Sequence, residues 1–156
     1  MRVQDFIAES TNQAMEGFIR QIQALPADKV DWKPMDEGRS ALSQAQELAV
    51  IGAYYPTLLT EFKPPVFDQA LMDSYKKQCD ALDTLDKAVG ALKNATAAAC
   101  ETIKAVPDEK LEQEMQFFGP TPWKIHQVMN AHLWNLHYHT GQVCYIQTLA
   151  GDKEMH

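Results

Sequence analysis

WKIHQVMNAHLWNLHYHTGQVCYIQTLAGD, residues Trp123 to Asp152, is the most hydrophobic long helix candidate in the chain and carries four of its five histidines. Ile125, Met129, Leu133, Leu136, Val143 and Ile146 recur at spacings of three, four and seven, the period of a helix that buries one side. Gln127, His132, Asn135, His139 and Gln142 run beside that apolar stripe. Pro122 suits a first-turn position, where a missing N–H is harmless, and Gly151 reads as the stop. The spacing predicts one helix over this stretch.

Helical geometry limits what these histidines can do together. His132 and His139 share a face but lie about 10 Å apart along the axis, too far to hold one ion. His137 and His139, two residues apart, point in nearly opposite directions. The residue one turn before His139 is Asn135, a weaker metal ligand than imidazole.

Outward from this stretch, three further segments repeat the helical pattern. Val3 to Leu25 places Ile7, Thr11, Met15, Phe18, Ile22 and Leu25 on one side, with Asp5 and Glu9 near its positive end. Pro26 ends it, and a linker rich in Pro, Asp and Gly runs to Ser40, with Trp32 expected to cover an end of the bundle. Ser40 caps a second helix reaching about Phe62, with Pro56 kinking or breaking it. From Phe67 to about Ala105, Leu71, Tyr75, Gln78, Leu82, Leu85, Val89, Leu92, Thr96, Ala99 and Ile103 alternate by four and three, the seam pattern of bundled helices. No convincing strand stands between them. Four one-sided helices predict an all-α fold, a four-helix bundle, in one domain spanning residues 1–156.

Composition narrows the function. With 21 acidic against 14 basic residues the formal net charge is -7, the reverse of a nucleic-acid footprint. No run approaches the length of a bilayer span. MRVQDFIAEST is too charged for a secretory signal. Cys79, Cys100 and Cys144 are widely spaced, as expected of reduced core thiols. The expectation is a soluble, cytoplasmic protein without nucleic-acid or membrane partners.

The segment HYHTGQVCYIQTLAGD resembles the end of the DinB-like superfamily of metalloenzymes, whose last helix reads H-x-x-x-H-R-G-Q before an apolar stretch and a glycine. His139, Gly141, Gln142, Tyr145, Leu149 and Gly151 carry the match. LPADKVDWKPMDEGRS and AVPDEKLEQEMQFFG extend the similarity over almost the whole chain. The resemblance implies a DinB/YfiT-like four-helix bundle, commonly a homodimer, with a site for nickel, zinc or another divalent ion. In that family one histidine ligand comes from the second helix and two from the last, four residues apart. Some members are thiol-dependent S-transferases or isomerases.

Carried onto this chain, the motif leaves His139 and Asn135 in the two last-helix metal positions. The second-helix position falls near Val50, where there is no histidine, and Thr140 stands in place of the arginine. The metal site therefore reads as degenerate unless Glu47 or another carboxylate substitutes, with no tightly bound ion expected and nickel or zinc at low occupancy at most. Two functions are weighed. In the first, the bundle binds a small ligand in its cavity without a tightly held metal, oriented by Asn135 and His139, with Glu47, Tyr54 and His132 lining the space. In the second, the protein is a divalent-metal-dependent transferase or hydrolase, in which the ion lowers the pKa of bound water or of a thiol. Trp134, Tyr138 and Tyr145, outside the main stripe, are candidates for a dimer face.

Overall fold

The computed structural model describes residues 1–154 and 156. The first helix, α1 (Val3–Ala24), ends where Leu25 turns extended before Pro26. The linker to residue 40 contains a short 3-10 turn, and its Val30 carbonyl accepts from the Leu42 amide, folding the linker back on the next helix. Trp32 packs half-buried against the core, as its aromatic bulk demands, with the Lys29 ammonium 4.9 Å from its ring centre.

The second periodic segment is two helices, α2 (Ala41–Gly52) and α3 (Tyr55–Glu61). The break at Ala53 and Tyr54 precedes Pro56. In a continuous helix the proline ring would strike the Gly52 carbonyl; in α3 Pro56 occupies the first turn instead. Phe62 closes α3 in the left-handed region, with φ +52°.

The single helix expected from Phe67 to Ala105 is also two: α4 (Gln69–Ala81) and α5 (Leu85–Ala105). Thr84 is the reason, because its hydroxyl accepts from the Lys87 amide and starts a new helix. All thirteen residues of α4 are half-buried or exposed, so Leu71, Tyr75 and Gln78 are not part of the core seam. Val89, Leu92, Thr96, Ala99 and Ile103 of α5 are.

A second correction concerns strands. A two-residue hairpin, β1 (Glu114–Met115) against β2 (Trp123–Lys124), pairs Glu114 with Lys124 and Met115 with Trp123. Trp123 thus belongs to a strand and Pro122 to the hairpin, not to the first turn of the last helix. That helix, α6 (Ile125–Leu149), begins where Gln127 accepts from the Lys124 amide and ends before Gly151 at φ +95°.

Four elements make the bundle. α1 packs on α5 and α6, and α2 packs on the same two, so consecutive α1 and α2 face each other across a diagonal. Two buried clusters fill it. One holds Phe18, Ile22, Leu42, Leu48, Leu92, Leu136 and Val143; the other holds Ile7, Tyr55, Leu58, Ile103, Ile125 and Met129. Their membership gives the directions: α1 and α6 run one way, α2 and α5 the other. Between the clusters each bundle helix contributes a buried residue that is small or polar: Thr11, Gly52, Thr96 and His132. α4 lies outside the bundle, against α2.

Candidate functional site

Glu47 and His139 meet across α2 and α6. Gln44 and Glu47, three residues apart on α2, share the face turned toward α6, whose stripe places His139 opposite. His139 Nδ1 lies 3.0 Å from Gln44 Oε1 and its Nε2 lies 3.1 Å from Glu47 Oε1. His139 is buried, whereas 19% of the Glu47 side chain is exposed. The ring edge of Tyr138 covers His139 from outside, with centroids 5.2 Å apart.

Arg39 completes the row. Its guanidinium pairs with Glu47 Oε2 and donates to the Ser43 carbonyl at 3.1 Å, anchored just ahead of the Ser40 cap. Ser40 Oγ accepts from the Ser43 amide at 3.1 Å and donates to Asp31 at 2.9 Å, fixing the start of α2. Burial acts to raise the Glu47 carboxyl, but the His139 hydrogen bond and the Arg39 charge outweigh it and hold the carboxyl below its usual value. Glu47 is therefore a carboxylate, an acceptor only, so the proton between it and His139 sits on Nε2.

Tyr75 and Cys79 of α4 border this row. Burial raises the Tyr75 hydroxyl and the Cys79 thiol, and the Glu47 charge adds to both. Cys79 is thus held protonated rather than activated as a nucleophile. Cys100 is the core thiol of the three, while Cys79 and Cys144 are half-buried.

The remaining sequence candidates lie elsewhere. Tyr54 sits at the α2–α3 break, its hydroxyl accepting from Gln78 at 3.1 Å. His132 is fully buried in the middle layer, its Nε2 3.2 Å from Thr96 Oγ1 and its ring 5.3 Å from that of Tyr55. Asn135 is half-buried one turn before His139 and, among the described residues, forms no hydrogen bond with it. Val50 is buried in the core; the α2 residue facing His139 is Glu47, one turn earlier. Gln44 and Arg39 are site residues that sequence reasoning missed. A glutamine on a helix's apolar face was the available signal for Gln44.

His139 and Glu47 are the two strong metal donors of this row. Among the described residues no group of three or more His, Cys, Asp or Glu side chains could hold a metal ion. The two strong donors present are engaged with each other, and Arg39 already supplies Glu47 with its counter-charge. Two surface grooves flank α1 away from the row: one of about 470 Å3 against α5, lined by Asp5, Glu9, Cys100 and Glu101, the other of about 400 Å3 against α6, lined by Ser10, Gly17, His137 and Thr140. No helix among the described residues is long and apolar enough to cross a membrane.

No family model matches the chain, and no curated protein matches it. A solved structure does share its fold: YfiT from Bacillus subtilis, described as a probable metal-dependent hydrolase with an unusual four-helix bundle topology. The likeness covers 95% of this chain and 87% of that one, with a TM-score of 0.71 at 15% sequence identity.

Proposed function

We propose that this protein binds a small polar ligand at the Arg39–Glu47–His139 row, where α4 meets α2, without a resident divalent ion. The observation that carries the reading is the 3.1 Å contact between His139 Nε2 and the Glu47 carboxylate, which engages with each other the two groups a metal would need as ligands. His139 then acts as a positioning residue. It holds the carboxylate, while the exposed part of Glu47 and the Arg39 guanidinium offer an acceptor and a donor to an incoming polar group. Asn135, half-buried one turn away, adds an amide at the edge.

A second reading, a divalent-metal-dependent hydrolase or transferase, is favoured by the description of the YfiT neighbour. It would use His139 and Glu47 with Asn135 as ligands, and an ion there would supply Lewis acidity toward bound water or a thiol.

Elemental analysis of untagged protein, purified with zinc and nickel in the medium, separates the two. The first reading expects sub-stoichiometric metal and no calorimetric binding of either ion. It also expects thermal-shift screening of small polar metabolites to yield a stabiliser whose effect is lost in Glu47→Gln and Arg39→Ala. One ion per chain, lost in His139→Ala, would overturn it.

A further inference from the structure

The surface over the Arg39–Glu47–His139 row has a chemical character of its own. Its floor is α2, with α4 and α6 each packed on that helix. At about 100° per residue, Asn135, Gln142 and Tyr138 lie about 40, 60 and 100° from His139, all on one side of α6, while His137 and Thr140 turn the other way, against α1. On α4 the half-buried Tyr75 and Cys79 border Glu47, whereas Lys76, Lys77 and Asp80 are exposed. α6 carries no Asp, Glu, Lys or Arg in its 25 residues. One ion pair, Arg39 with Glu47, is thus set among amides and aromatic rings.

We infer that the ligand of this row is a neutral saccharide, its hydroxyls on Glu47 and Arg39 and its C–H face on the Tyr138–Trp134 stack; the inference rests on the reading of the row as a ligand site. Charge is the first argument. A chain of net charge -7 repels anions at long range. The Arg39 guanidinium offsets the carboxylate that would attract a cation. An uncharged ligand meets neither barrier.

Hydrogen bonding is the second argument. A hydroxyl both donates and accepts, so two on neighbouring carbons can donate to the carboxylate and accept from the guanidinium together. Asn135 and Gln142, half-buried on either side of His139 along α6, add amides that also do both. The rings are the third. Trp134 and Tyr138 stack 5.3 Å apart at 18° and keep 63 and 51% of their surface exposed. The negative face of an aromatic ring attracts C–H bonds polarised by adjacent oxygens, and one side of a pyranose is a row of such bonds. Tyr138 lies edge-on to His139, with centroids 5.2 Å apart, so this platform adjoins the polar pair.

Saturation-transfer difference NMR tests this on the untagged full chain, with the methyl glycosides of glucose, galactose, mannose and N-acetylglucosamine as probes. At least one should receive saturation on its ring C–H protons, and titration should move the amide signals of residues 134–142 with a Kd on the order of millimolar. Glu47→Gln and Tyr138→Leu, each checked for helicity by circular dichroism, should weaken binding by about tenfold or more, whereas Tyr138→Phe, which keeps the ring face, should retain it. If Tyr138→Leu loses helicity, the amide shifts of the wild type and the Glu47→Gln variant decide. No saturation of any of these glycosides at tens of millimolar, or a glycoside bound equally well by Glu47→Gln, would overturn the proposal. A nucleoside or an amino acid bound instead, and lost in Glu47→Gln, would overturn the saccharide assignment while leaving the row a ligand site. One tightly held ion per chain would overturn both.

Discussion

His132 occupies a position few side chains would tolerate. Its imidazole is fully buried, its Nδ1 has no partner among the described residues, and burial lowers its pKa from 6.5 to about 4. Thr96, Gly52 and Tyr55 surround it, and burial raises the Tyr55 hydroxyl out of reach. Below about pH 6.5 the unfolded chain takes up this proton while the folded chain does not. Stability should therefore fall as pH drops from 6.5 to about 4, by about 3 kcal/mol in all, and the contribution should then level off. Urea denaturation across that range, compared with His132→Leu, checks it: the substitution should flatten this part of the profile. Gly52 is equally constrained, since a Cβ there would stand 3.0 Å from His132 Cε1 and 3.3 Å from Ala95 Cβ. Gly52→Ala should destabilise by about 1–3 kcal/mol in the same assay, because the ring it displaces is held by Thr96. His139 was legible through a short motif, and Glu47 as the nearest carboxylate. Gln44 was not, since a glutamine on an apolar face signals a buried polar contact without naming its partner. The second-helix position read from the motif falls near Val50, one turn beyond Glu47, the residue that meets His139, and the inner face of α2 repeats Ala and Leu with no landmark to fix the register.

Among the elements, those that bury a continuous stripe were readable. α1, α5 and α6 follow their apolar periods, and Pro26 and Gly151 mark ends where the backbone must leave the helix. The elements missed are those decided by one polar atom or by distant contacts. Thr84 divides α4 from α5 although the apolar spacing continues through the break in phase, with Leu82 and Leu85 both half-buried. The hairpin of β1 and β2 is two residues a side, below the length at which alternation can be recognised. α4 itself, capped by Asp68 and packed mainly on α2, holds no core stripe. It should open locally at much lower free energy than α5, and hydrogen exchange monitored by mass spectrometry should show its amides exchanging well ahead of residues 88–103. Equal protection of the two helices would contradict the packing described. Because Tyr75 and Cys79 belong to α4, its opening would also uncover Glu47.

At the level of the molecule, the charge and the topology act separately. The chain carries a formal net charge of -7, yet α6 holds no Asp, Glu, Lys or Arg along its length. The topology places the first and last helices side by side, running in the same direction, while sequence neighbours α1 and α2 sit across the diagonal. Phe18, Ile19 and Ile22 thus wait for partners such as Val143 and Ile146 that lie more than a hundred positions later in the chain. A ribosome making this protein must release nearly all of it before α1 can have both of its neighbours, α5 and α6. Until then the amino-terminal helix is greasy cargo, suited to a chaperone's grip, and shortening the chain from its far end removes the support of its beginning.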